Sequence, residues 1–186
     1  LIVATSLWFV FSPHTPDIMD GLGVTIFTFV WIGVMGGFAL VLTSPHFFPH
    51  RHGLAYLMGG LLLTAANDTT ALFVGKWLGR TPLVTHISPN KTREGFYGGA
   101  AGSLFAGVFV LPFLHPWTLW HGIEMAILVS LAAPCGDLLE SMVKRTLGVK
   151  DLGRLLPGHG GLIDRIDGLI LVLPVLYYFA HTNSLH

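Results

Sequence analysis

Residues 21–43 read GLGVTIFTFVWIGVMGGFALVLT, a run without one charged side chain. A helix needs roughly 20 apolar residues to cross the hydrocarbon core of a bilayer, so this stretch is long enough to span. Working outward, comparable apolar stretches occur at 54–78, 96–114, 121–139 and 166–180. The stretch at 96–114 is rich in Gly and Ala, which suits close helix packing, and Pro112 and Pro116 close it. The last is short unless Leu162 and Ile163 extend it. Upstream, Leu1 to Phe11 is apolar but too short to cross, and neither a basic n-region nor a small-residue cleavage site marks a signal peptide. It reads as a truncated helix, with further spans expected before it. The expected fold is all-α: a polytopic integral membrane protein with about five full transmembrane helices plus a truncated N-terminal one.

Composition agrees. Only 11% of residues are charged, against about a quarter in soluble domains, and the mean hydropathy is +0.67. The ten Lys and Arg balance the ten Asp and Glu, but nine of those basic residues lie from Lys76 onward. They concentrate in the connections at 79–95 and 144–165, while 115–122 carries none. Two spans separate the two basic connections, so both fall on one face, which retention of basic residues makes cytoplasmic. Ser12 to Asp20 shares that face, and the His-rich connection 44–53 lies outside. Cys135 is the single cysteine, which excludes an intramolecular disulfide and a Cys-based zinc site.

Against this hydrocarbon background, residues 141–167, SMVKRTLGVKDLGRLLPGHGGLIDRID, gather five basic side chains and three carboxylates. Charge is costly to desolvate in a membrane protein, so such a cluster reads as a functional site, and its content suggests phosphate chemistry. Asp137, Glu140, Ser141 and Lys144 fall at i, i+3, i+4 and i+7, one face of a helix. Asp164 and Asp167 repeat the i, i+3 relation. Two such acidic faces meeting could bind a hard cation; magnesium needs only one or two carboxylates plus substrate phosphates. The alternative is that these acids pair with Lys144, Arg145 and Arg165. The run Pro157-Gly158-His159-Gly160-Gly161 offers backbone amides just ahead of a helix N-terminus, a place suited to an anion, or else a tight loop. Lys144 and Arg145 begin where the acidic face ends. Together with Lys150 and Arg154 they would ordinarily read as solvated positive-inside charge or a lipid-headgroup surface, the simpler reading for Arg154 and a weaker one for Lys144 and Arg145.

Within the span at 54–78, Asn67-Asp68-Thr69-Thr70 puts polar groups at membrane depth, where Asp68 should face protein or water. The stretch from His86 to Gly95 supplies hydroxyls, an amide and cations. His46, His50 and His52 could form a metal site or a polar loop, and Trp117, Trp120, Tyr177 and Tyr178 read as interfacial anchors.

The pattern Ser141, Lys144-Arg145, Lys150-Asp151, Pro157 to Gly161, Asp164-Arg165 and Asp167 resembles the phosphatidate cytidylyltransferase (CDP-diacylglycerol synthase) family. Asn67-Asp68-Thr69 and Ser88-Pro89-Asn90-Lys91-Thr92, leading to Glu94-Gly95, match it too. The likeness covers about residues 60–180. Thr70 stands where that family commonly has Gly, and Arg93 where it has an aromatic residue. The resemblance implies a catalytic region at 60–186 behind N-terminal transmembrane helices at 1–59. It implies condensation of CTP with phosphatidic acid to CDP-diacylglycerol and pyrophosphate, with the site at the cytoplasmic face of a bacterial inner membrane. Asp137 and Asp164 are then the leading ligands of magnesium (Mg2+), Asp167 and Asp68 further candidates, and potassium (K+) an admissible second cation. Lys144, Arg145 and Arg165 would neutralise phosphates, Gly158, His159, Gly160 and Gly161 would cradle one, and Ser88 and Lys91 would touch substrate. Asn67, Glu94, Ser141, Lys150 and Asp151 complete the expected substrate-binding set. The partners implied are the two substrates and the lipid bilayer, with no nucleic acid; a homodimer is admitted. Rival readings are a CTP-dependent lipid (polyprenol) kinase, which would use the γ-phosphate, and an ion-coupled transporter using Asp68 and Asp137.

Overall fold

The computed structural model describes residues 18–48, 52–149, 152–153, 161 and 163–183, without the side chains of 18–20 and 165. The expected helix at Leu1 to Phe11 lies outside them, as do Lys150, Asp151, Arg154, Gly158, His159, Gly160 and His50. The first span is α1 (Ile18–Thr28), a π-helical stretch Phe29–Met35 and α2 (Gly36–Thr43). Then follow α3 (His52–Leu78), strands β1 (Pro82–Val84) and β2 (Ser88–Thr92), α4 (Arg93–Phe109), a 3-10 turn Leu111–Phe113, α5 (Leu119–Thr146) and α6 (Ile163–Asn183). Five of the described helical stretches are long and apolar enough to cross a membrane. The protein has the polytopic all-α membrane fold that its hydropathy predicts.

One addition was not expected. The connection after α3 pairs as an antiparallel hairpin, Pro82 with Thr92 and Val84 with Ser88, with an irregular register between. Its strands are only three and five residues long and contain Pro82 and Pro89, so neither period-2 alternation nor β-propensity marks them.

The polar stretch of α3 stays helical because its hydroxyls bond backwards into the helix. Thr64 Oγ1 donates to Gly60 O at 2.9 Å and Thr70 Oγ1 to Ala66 O at 2.7 Å. Ser103 of α4 reaches across to Leu63 O at 3.2 Å. The core where α3, α5 and α6 meet is fully buried at Leu63, Met125, Val129, Val172 and Leu176.

Small residues let the backbones meet, the packing mode of helices in lipid. A Cβ on Gly99 of α4 would sit 2.9 Å from Asn67 Oδ1, and one on Gly107 would sit 2.4 Å from Gly122 O. The most consequential contact is Gly136 of α5, which lies against the backbone of Asp167 and Gly168.

Trp117 corrects an expectation. It is no interfacial anchor: only 4% exposed, it stacks on Phe179 and donates from Nε1 to Ala55 O at 3.2 Å. Trp120 and Tyr178, by contrast, are well exposed.

Candidate active site

Two cavities of about 590 Å³ each flank β2 and the adjoining part of α5. That is within the size range of small-molecule sites. The first is lined by Asp68, Leu72 and Lys76 of α3, by Lys91, by Phe96 and by Asp137. The second is lined by Ser88, Ser141, Lys144, Arg145 and the turn at Gly148 and Val149. Asn90 lines both.

Local sequence explains the placement. Thr92 caps α4 by accepting from Gly95 N at 3.1 Å, which turns β2 into the helix and leaves Lys91 facing α5. At the other wall, Gly148 takes a positive φ of 64° and closes α5. Val149 N returns to Lys144 O at 3.0 Å and Gly148 N to Arg145 O at 3.2 Å, a Schellman stop that fixes the last turn of cations at the cavity rim.

The charged groups fall into two sets linked by Glu140, which contacts both Asp164 and Asp167. In the first group, Lys91 Nζ donates to Asp137 Oδ2 at 2.6 Å. Asp68 and Asp167 stand close enough to Asp137 for the three carboxylates to interact electrostatically. The contact of Gly136 on the Asp167–Gly168 backbone creates this proximity, and the Asp137 carboxylate itself lies over Gly168. Asn67, 2% exposed, turns its amide toward Asp68 at 3.4 Å and accepts from Ser103.

In the second group, Lys144 Nζ lies 2.9 Å from Glu140 Oε1 and 2.8 Å from Asp164 Oδ1. Glu140 is buried, and its Oε1 meets Lys144 as an ion pair without accepting an aligned hydrogen bond. Asp164 also receives Leu152 N at 3.1 Å and Gly161 N at 2.6 Å. Burial would push its carboxyl up, but the hydrogen bonds from Glu140, Lys144 and the two amides outweigh that and hold it well below the usual carboxylate range. Pairing of acids with Lys144, the simpler of the two readings of this face, is thus present. Arg145 is not part of it; its Nε donates to Ile87 O at 3.3 Å.

The expected ligands Asp137 and Asp164 therefore interact with different neighbours, and Asp167 and Asp68 are the carboxylates gathered around Asp137. Glu94 lines neither cavity. Its carboxylate accepts from the amides of Arg80 and Thr81 at 3.2 Å and from the Thr81 hydroxyl at 3.0 Å, tying the start of the hairpin to α4. Lys76 lines the first cavity although motif spacing did not single it out, the signal being its place two turns beyond Asp68; Asn90 stands in the matching motif but was given no role there.

Among the described residues, no three acidic, histidine or cysteine side chains form a ready-made metal cage. Magnesium does not require one, since one or two carboxylates with substrate oxygens suffice. The group of Asp137, Asp167 and Asp68, with Lys91 as its close cation among the described residues, fits such an ion by charge and donor type.

Comparison with known proteins accords with this arrangement. The profile of the cytidylyltransferase family matches residues 1–183. The chain is 36% identical over 159 residues to a protein of Mycobacterium bovis named phosphatidate cytidylyltransferase, covering 86% of this chain and 50% of that one. It is 46% identical over 129 residues to a Synechocystis protein of the same name, covering 64% and 43%. It is 38% identical over 185 residues to the Escherichia coli protein named as uncharacterized protein YnbB, covering 96% and 59%. The chain spans about half the length of the curated relatives it matches. A match running almost from end to end, through both walls of the two cavities, makes this chain a member of the cytidylyltransferase family.

Proposed function

We propose that this chain forms the nucleotide-transfer region of a membrane enzyme that condenses CTP with phosphatidic acid. The observation that carries the reading is the pair of cavities meeting at Asn90, with the Asp68, Asp137 and Asp167 group on one side and Lys144 and Arg145 on the other. A reaction between a lipid and a polar nucleotide calls for two such compartments sharing a wall.

In this reading a nonbridging oxygen of the phosphatidate attacks the α-phosphorus of CTP. The new P–O bond forms as the bond from that phosphorus to the α–β bridging oxygen breaks, and pyrophosphate leaves with the bond's electron pair. The phosphomonoester is largely ionised at neutral pH, its second pKa being about 6, so no covalent enzyme nucleophile is needed. What the chain must do is hold two polyanions together and stabilise charge. Lys144 and Arg145, with Arg165, neutralise the triphosphate, and Ser88 and Ser141 offer hydroxyls to it. Lys91, next to the shared Asn90, lines the first compartment and is bonded to Asp137. Gly161 and Asp164 anchor the end of the glycine turn. Asp137 and Asp167, with Asp68 beside them, would hold Mg2+, which supplies charge stabilisation at the phosphoryl oxygens; K+ and the Asp164 carboxylate belong to the same proposal. The basic connections support a site on the cytoplasmic face, and the bacterial relatives support a bacterial membrane.

The test uses purified full-length protein with phosphatidate in detergent and CTP labelled at either the α or the γ phosphorus. Lipid-soluble label is expected from the α position alone. Label from the γ position would overturn the reading in favour of a lipid kinase, and ion flux in liposomes without CTP turnover would make the protein a transporter.

A further inference from the structure

Lys76 is the cation of the first cavity that no described residue partners. Asp68, Leu72 and Lys76 all line that cavity at i, i+4 and i+8 of α3. They form one stripe running about 12 Å from the acidic group to the last turn of the helix. The two other lysines near the acidic groups are neutralised: Lys91 by Asp137 at 2.6 Å, and Lys144 by Glu140 and Asp164. Lys76 is exposed and has no ion pair or hydrogen bond among the described residues. At that end the cavity reaches the outer surface. Leu72 in its wall is 54% exposed, and beside it Phe73 and Trp77 are 52% and 81% exposed, an apolar surface of the kind that meets lipid. A basic residue next to a tryptophan at a helix end marks the headgroup level of a bilayer.

We infer that Lys76 is the headgroup-selecting residue of the lipid compartment, binding the phosphomonoester of an anionic lipid whose acyl chains leave past Leu72. The inference rests on the two-compartment reading above and deepens it. The selection follows from charge. A phosphomonoester carries about −1.5 to −2 at neutral pH, whereas a phosphodiester headgroup carries about −1, so an unpaired ammonium favours the former. The Asp68 carboxylate repels either anion, and the more highly charged one more strongly, so the preference rests on the Lys76 ammonium at the mouth. Lys76 is thus placed to hold the phosphate at the rim before it moves inward toward Lys91.

The experiment measures equilibrium binding to the purified full-length protein in detergent. Three probes are compared: dioctanoyl phosphatidate, dioctanoyl phosphatidylglycerol, and glycerol 3-phosphate, which offers the same phosphomonoester without chains. The wild type should bind the phosphatidate at least about tenfold more tightly than either of the others. Lys76→Gln should weaken phosphatidate about tenfold and leave phosphatidylglycerol and CTP within twofold, and Lys76→Arg should restore the selectivity. Unaltered phosphatidate binding by Lys76→Gln would overturn the inference and reduce Lys76 to a positive-inside anchor. A parallel loss of CTP binding would assign it to the nucleotide instead. Glycerol 3-phosphate binding as tightly as phosphatidate would show a free-phosphate site. These outcomes are independent of turnover: a wild-type protein that selects phosphatidate but transfers no α-label from CTP would refute the proposed reaction and leave the lipid assignment standing.

Discussion

Replacing Gly136 with alanine probes whether the site depends on how closely α5 and α6 approach. The new Cβ would lie 2.6 Å from Asp167 O and 2.9 Å from Gly168 Cα, where ordinary contact begins at 3.4 Å. Both neighbours are backbone, so no side chain can rotate away, and the helices must separate by about 0.8 Å to recover normal contact. Overpacking of this kind costs about 1–3 kcal/mol of stability. Its larger effect should be on turnover, because every carboxylate remains while the gap between Asp137 and Asp167 widens. A misplacement of about 1 Å can cost on the order of a hundredfold in rate, equivalent to about 2.7 kcal/mol of barrier.

The assay is transfer of α-labelled CMP to phosphatidate, normalised to folded protein, alongside the thermal transition in detergent. Gly107→Ala supplies the control. Its Cβ would meet Gly122 O at 2.4 Å in the α4–α5 contact, away from both cavities. It should lower the transition by a comparable amount while keeping transfer per folded molecule within about threefold. Near-normal transfer by Gly136→Ala, or an equal loss in Gly107→Ala, would refute the reasoning.

Asp137→Asn and Lys91→Ala should each lower transfer, the former by at least about a hundredfold. The double variant should be little worse than Asp137→Asn, because both changes break one 2.6 Å contact; fully additive losses would mean that the two residues act separately. Asp164, just ahead of the membrane-spanning part of α6, has a carboxyl held below its ordinary range. Its contribution to stability is therefore complete above the unfolded value of about 4 and is lost only as pH falls through the lower folded value. The difference in thermal transition between wild type and Asp164→Asn should be constant from about pH 8 to 5 and shrink below about pH 4, and a difference that vanishes already near pH 6 would contradict it. With Cys135 replaced by serine, Arg93→Cys should react with an impermeant reagent from the cytoplasmic side alone and His115→Cys from the outer side alone; the same face for both would overturn the topology.

The spans were legible because hydropathy is summed over some twenty positions, so single polar residues such as Asn67 and Asp68 do not erase the signal. The hairpin was not, since its strands are too short for any periodicity and are held by the Thr92 cap and the Glu94 contacts that lie beyond them. Trp117 was misread for a related reason. Composition says that an indole suits an interface, but only the approach of Gly59, whose Cβ would sit 2.4 Å from the ring, reveals that α3 leaves a slot for it.

The division of the carboxylates shows the same limit at the site itself. Spacing puts Asp164 and Asp167 one turn apart and cannot say which of them faces Asp137. The choice is made by two tertiary features: Gly136 seats the backbone of Asp167 and Gly168 on α5, and the amides of Leu152 and Gly161 draw Asp164 toward the loop and Lys144. The consequence is chemical. The oxygens of Asp164 already accept from an ammonium and two amides, whereas Asp137, Asp167 and Asp68 interact with one another and, among the described residues, with Lys91. Negative charge therefore gathers at Asp68 and Asp137 in the wall of the first cavity, with Asp167 beside them, and a metal of the kind proposed would be drawn to that wall rather than to Asp164 alone.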